Sequence, residues 1–251
     1  VVTAVLLLRA IKQPLRKSST SPGLVPDVQW RIPSPTALLR FLIYAGPICG
    51  VLVTKTIMYS FMTATASSLG PISSGTHHVT LTVFFFFATF GDAVSQAAQS
   101  FLPGTVGRPK AAWNMGRQLT STGAYVGIFN SICAAALLIL APFLFTSSQP
   151  IMTAIRTTLP IMCLTLVVHT CSMATEGMLL AGRDLTFLVL SYSLNIALVL
   201  GALALTKRAS MGLLGVWICI FQFQATRLVQ NWIRLLGPKS PLNSTTAMQL
   251  Q

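Results

Sequence analysis

Six apolar runs, at residues 38–66, 77–102, 118–145, 158–181, 185–206 and 211–235, constrain this chain more than any other feature. Crossing the hydrocarbon core of a bilayer takes about 20 residues of helix, and each run supplies that length. The charge content points the same way: 8 % of the 251 residues are charged and 53 % are hydrophobic, where soluble domains carry roughly 25 % charged residues. So few ionised groups cannot cover a water-facing surface. A closed β-barrel is the other structure that satisfies every backbone group in lipid, but these runs lack the apolar–polar alternation of barrel strands. The expected fold class is an all-α membrane protein, a bundle of six transmembrane helices in contact with the lipid bilayer.

Turn chemistry divides the chain. SSLGPISSG, LPGTVGRPK, TSSQP, AGRD and TKRASMG separate the runs, and Gly46-Pro47 inside the first is expected to kink it, because proline removes a backbone donor. Residues 1–10 are apolar but too short to span, and read as the end of a truncated preceding helix. Residues 11–37, rich in Pro and Ser, read as an inner-side linker, residues 38–236 as the bundle and 237–251 as a flexible tail. The chain shows no initiator Met, signal peptide or transit peptide, so its first residue is expected to fall inside a longer chain.

A net charge of +13 would raise nucleic acid as a partner in a soluble protein. Here the basic residues sit between apolar runs, and no basic–aromatic stripe of the kind that binds single strands is present, so membrane orientation explains them. With residues 12–37 placed inside, twelve Lys and Arg fall on the inner face and three (Arg156, Lys207, Arg208) on the outer. Both ends are then expected inside, which an odd number of spans could not give. The five cysteines lie in or near apolar runs without a CxxC pair, and read as small buried side chains instead of metal ligands or disulfides.

The polar residues inside the runs are the candidate site, because a charge at mid-membrane costs about 2.5–3.5 kcal/mol even on the mild insertion scale. Asp92, Ser95, Gln96 and Gln99 share one helix face by their spacing. That face either lines an aqueous cavity or bonds to neighbouring helices. Thr165, His169, Ser172 and Glu176 form a second stripe, on which His169 is either a proton relay to the carboxylate or a satisfied structural histidine. Lys55, Tyr59, Thr63 and Ser67 form a third. The Lys55 ammonium can bind an anion or pair with Asp92 or Glu176. Lys55 and Arg227 are the two basic residues that the tally leaves inside spans. Catalysis is not expected: TFGD at Thr89–Asp92 matches an intramembrane protease box only in its last two residues, and metalloprotease, P-loop and hydrolase patterns are missing. No cofactor or metal site is expected.

GDAVSQAAQSFLP (91–103), EGMLLAGRDL (176–185), MGLLGVWICIFQFQATRL (211–228) and TKTIMYS (54–60) resemble segments of one family, the multidrug and toxic compound extrusion (MATE) transporters. The likeness covers residues 38–236 and is to their C-terminal half, nearest to the plastid branch of plants. It implies twelve helices in two six-helix lobes, so that this chain is the C-terminal lobe with a stub of the other, and its missing N-terminal lobe is a partner. It also implies export of a small organic ion in exchange for H⁺ or Na⁺, a plastid envelope location and, for this branch, an aromatic carboxylate as cargo. Many bacterial members carry a glutamate on the first helix of this lobe, where Pro47 sets Lys55 in register. An ammonium there suits an anion. Glu176-Gly177 resembles the acid–glycine pair of the fourth helix in plant members.

The expected function is therefore antiporter-type efflux of an organic anion by alternating access, with Lys55, Tyr59, Asp92, Gln96, Gln99, His169 and Glu176 binding cargo or coupling ion. Two other readings stand beside it. One is an antiporter of cationic drugs held by Asp92 and Glu176, and the other a membrane scaffold whose polar stripes only pack helices.

Overall fold

The structure is a computed structural model in which residues 34–105, 108–238 and 240–242 are described. The expected helix remnant at 1–10, nearly all of the linker at 11–37 and most of the tail at 237–251 lie outside the described residues. Six long helices follow one another: α1 (Pro35–Ser68), α2 (Pro71–Phe101), α3 (Pro109–Leu140), α4 (Gln149–Ala181), α5 (Leu185–Arg208) and α6 (Gly212–Leu236). Short 3₁₀ turns at Leu102–Thr105 and Pro142–Leu144 follow α2 and α3. All six helices are long and apolar enough to cross a membrane. The chain is an all-α, multi-pass integral membrane protein. It divides into two compact units, Val1–Leu42 and Ile43–Gln251, and the bundle belongs to the second.

The first four helices begin earlier than their apolar runs. Pro35, Pro71 and Pro109 are first residues of their helices and Pro150 sits in the first turn of α4. Proline is preorganised there, since its missing N–H is one that no helix start can use. Turn-like sequence thus starts the helices it was expected to separate. At the other end, α3 stops at Leu140, five residues before its apolar run does, because Ala141 precedes Pro142 and is pushed out of the helical region (φ −131°, ψ 41°). Helix α1 continues through Pro47 without a break.

Helix α4 is the centre of the bundle and packs most extensively on α2, α3 and α6. Every side chain from Ser172 to Leu179 is buried, as expected of a helix with neighbours on all sides. Glycine permits the closest approaches. A Cβ on Gly177 would lie 2.5 Å from the Ser95 carbonyl oxygen of α2, and one on Gly127 of α3 would lie 2.9 Å from the Val167 Cα of α4. Small residues serve membrane helices this way, because in lipid close van der Waals contact replaces the hydrophobic effect as the force between them.

Helix α1 is attached differently. Met58, Met62 and Ala66 are fully buried along one stripe, while Leu52, Val53, Ile57 and Phe61 are exposed. Its backbone nevertheless stands off from the other helices among the described residues, so long side chains bridge the space. A cleft occupies that space.

A polar cluster at the floor of an open cleft

The cleft has a volume of about 820 Å³ and lies between α1 and α2, with α4 and α6 beneath. One face of α1 lines it with Lys55, Tyr59, Thr63 and Ser67, which the four-residue spacing brings to one side of a helix. Helix α2 supplies Phe85, Thr89 and Asp92, and His169, Met173 and Arg227 complete the floor. The wall is largely apolar and aromatic: Tyr59 meets Phe85 edge-on with ring centroids 4.8 Å apart.

At the floor, Glu176 of α4 collects donors from three other helices. Lys55 Nζ (α1) donates to its Oε1 at 2.8 Å. Its Oε2 accepts from the Tyr192 hydroxyl (α5) at 2.7 Å and from Arg227 Nη2 (α6). Arg227 also donates through Nη1 to Gln224 Oε1 at 2.6 Å, and Gln224 Nε2 donates to the Tyr59 hydroxyl at 2.8 Å. The network thereby closes on α1 again. Aromatic faces hold the cations from the side: the Arg227 guanidinium lies 5.0 Å from the Tyr192 ring centroid and 5.2 Å from that of Phe223, and Lys55 Nζ lies 5.4 Å from Tyr192. Side-chain exposure is 20 % for Lys55, 3 % for Arg227 and 4 % for Glu176. The arginine is fixed in the core, whereas the lysine stands at the edge of the cleft.

The other residues singled out by spacing take distinct places. Asp92, Ser95, Gln96 and Gln99 all border a smaller cavity of about 260 Å³ that also touches Lys55 and Glu176. Ser95 is in addition buried against Gly177. Among the described residues Gln99 bonds only within its own helix, to Ser95, at 3.4 Å. Asp92 is exposed in the cleft, and among the described residues it has no basic nitrogen within ion-pair distance, so the partner of Lys55 is Glu176. Thr165, His169, Ser172 and Glu176 are all buried on one stripe of α4 but form no hydrogen-bonded chain. Thr165 bonds to the Ile161 carbonyl one turn back on its own helix, and among the described residues neither His169 nor Ser172 is hydrogen-bonded to Glu176. A direct relay along the stripe is therefore not assembled in this conformation.

Arg227 and Tyr192 were missed as site residues. Arg227 was visible as a charge inside an apolar run, with Gln224 three residues before it on the same face. Its partner acid, however, lies 51 positions away in sequence. Among the described residues no three His, Cys, Asp or Glu side chains are placed to hold a metal.

No family model matches the chain. Among curated proteins, it is similar to Protein DETOXIFICATION 47, chloroplastic, of Arabidopsis thaliana, with 31 % identity over 220 residues. That match covers 85 % of this chain and 40 % of the relative. It is also similar to Protein DETOXIFICATION 44, chloroplastic, of the same plant, with 25 % identity over 201 residues, 78 % of this chain and 38 % of that one. The chain spans about two-fifths of the length of these curated relatives.

Proposed function

The chain is a member of the multidrug and toxic compound extrusion family, and from that premise we propose that it forms one lobe of a secondary active transporter in a chloroplast membrane. A second lobe then closes the cleft, and rocking of the two lobes exposes it to each side in turn. Coupling to H⁺ or Na⁺ belongs to the same reading.

The cargo is a small organic anion, an aromatic carboxylate by preference. The observation that carries this is the charge of the cleft floor: two cations, Lys55 and Arg227, converge on the single carboxylate of Glu176. Opposite charges attract strongly where water is scarce. An incoming carboxylate takes the part-buried Lys55 ammonium at the cleft edge, and Glu176 keeps Arg227 and Tyr192. No buried acid is orphaned, which is the event that makes breaking a buried pair costly. Tyr59 and Phe85 offer ring faces and edges to an aromatic cargo.

Asp92, exposed in the cleft without an ion pair, favours a second reading, an organic cation exporter. Uptake of labelled salicylate and of a labelled organic cation into vesicles containing the full-length protein, with and without a pH gradient, decides between them. Salicylate uptake that is lost in Lys55→Ala, absent in Lys55→Glu and partly kept in Lys55→Arg is the expected result. Uptake of the cation alone overturns the anion reading.

A further inference from the structure

The hydrogen bonds beneath the cleft have a direction, and that direction reaches the cleft wall. Arg227 can only donate, so the atom of Gln224 that meets its Nη1 at 2.6 Å must be the amide oxygen Oε1. The amide nitrogen Nε2 is left facing Tyr59, and it donates to the phenolic oxygen at 2.8 Å. Gln224 is fully buried and Arg227 is 2 % exposed. Turning the amide round would set donor against donor with no water to relieve them. His169 also interacts with Gln224, but a neutral imidazole has one donor and one acceptor and imposes no direction. A phenol carries a hydrogen of its own. With its oxygen accepting from Gln224, the Tyr59 hydroxyl has that hydrogen to give, and no acceptor among the described residues takes it. Tyr59 is half-buried and lines the cleft one turn from Lys55, on the same face of α1.

We propose that Gln224 is a positioning residue that holds the Tyr59 hydroxyl as a donor, so that Lys55 and Tyr59 form a two-donor subsite for one carboxylate. A carboxylate offers an acceptor oxygen to each of the two groups. A primary amide of the same shape offers one acceptor and one donor, and its NH2 then opposes a group that can only donate. A tyrosine hydroxyl free to rotate would not discriminate in this way, because it could accept instead. The selectivity comes from the unpaired group that the wrong ligand leaves behind, more than from the bond that the right one gains. Asp92 shares the cleft and acts on Lys55 and Tyr59 through its charge, but among the described residues it is hydrogen-bonded to neither. It is the rival acceptor for the Tyr59 hydrogen. The proposal rests on the anion reading above and adds which group of the cargo is read, and by which side chains.

Displacement of bound labelled salicylate from the full-length protein in liposomes tests it, with benzoate and benzamide as the probes. Tyr59→Phe should raise the benzoate concentration needed about tenfold, the loss of one hydrogen bond to a charged group. The same change should leave benzamide unaffected or improved, since the donor facing its NH2 is gone. Gln224→Glu gives a readout that a merely structural role would not move. Its carboxylate still meets Arg227 but accepts the Tyr59 hydrogen, which turns the hydroxyl away from the cleft. Adding Tyr59→Phe to Gln224→Glu should then change benzoate displacement less than about twofold, against about tenfold in the parent protein. The charge that the glutamate adds is present on both sides of that second comparison and cancels. A tenfold loss in both backgrounds overturns the proposal. If Gln224→Glu fails to fold, the parent and Tyr59→Phe still decide. An unchanged ratio of benzoate to benzamide, the result expected if Asp92 takes the hydrogen, overturns the proposal. Salicylate uptake with that unchanged ratio sinks this inference alone, whereas uptake of an organic cation in place of salicylate sinks the cargo reading as well.

Discussion

Glu176 takes three donors on two oxygens, while each of its cations has that one carboxylate as its ionic partner. The consequence of removing a group therefore depends on which one is removed. Glu176→Ala leaves two cations unpaired in the bundle and should cost about 3–5 kcal/mol, the penalty of breaking a buried pair. Lys55→Met leaves Glu176 with Arg227 and Tyr192 and fills the space with an apolar chain of similar length, so its cost should be much smaller. Thermal unfolding of the purified protein in detergent should rank Glu176→Ala well below Lys55→Met; equal melting points would refute the asymmetry. Sequence spacing reached part of this site. Lys55 and Tyr59 lie one turn apart on one helix, so local periodicity groups them. It is silent on Glu176 with Arg227, or with Tyr192, because those pairings depend on how α4, α5 and α6 rotate about their axes when packed.

The elements were more legible than their ends. Length and hydropathy find helices that cross lipid, yet α2, α3 and α4 all extend beyond their apolar runs at the N-terminus. Hydropathy measures what lipid selects, and the overhanging turns are selected by backbone chemistry at Pro71, Pro109 and Pro150 instead. Close packing between elements was not legible from hydropathy either, since a glycine at a crossing and a glycine facing outward read alike. Their substitutions should differ in sign. Gly177→Ala places a methyl 2.5 Å from the Ser95 carbonyl oxygen, so α2 and α4 must part, at a cost of about 1–3 kcal/mol for overpacking. Gly201→Ala in α5 meets nothing within 4 Å and should be neutral or stabilising by up to about 1 kcal/mol, from helix propensity. A melting temperature below wild type for Gly177→Ala, and at or above wild type for Gly201→Ala, is the expected outcome.

At the scale of the whole molecule, the basic residues predict which side each loop occupies. Six crossings and the excess of inner Lys and Arg put the α3–α4 connection outside and the end of α6 inside. After the five free cysteines are replaced, Ser147→Cys and Pro238→Cys should react with an impermeant thiol reagent from opposite sides of sealed vesicles. Reaction of both from one side would sink the topology. Helix α1 has a further consequence. Apart from its apolar stripe, it is fastened to the bundle by Lys55 on Glu176, Tyr59 on Gln224, Thr63 on His77 and Ser67 on Ser74. Two of these fasteners are groups that an anionic aromatic cargo would use. Cargo and helix are then rivals for the same bonds, and linkage makes the rivalry reciprocal. Whatever draws Lys55 away loosens α1 by as much free energy as a clamped α1 withholds from the cargo. An affinity for ligand can in this way be set by how tightly one helix is buttoned to its neighbours.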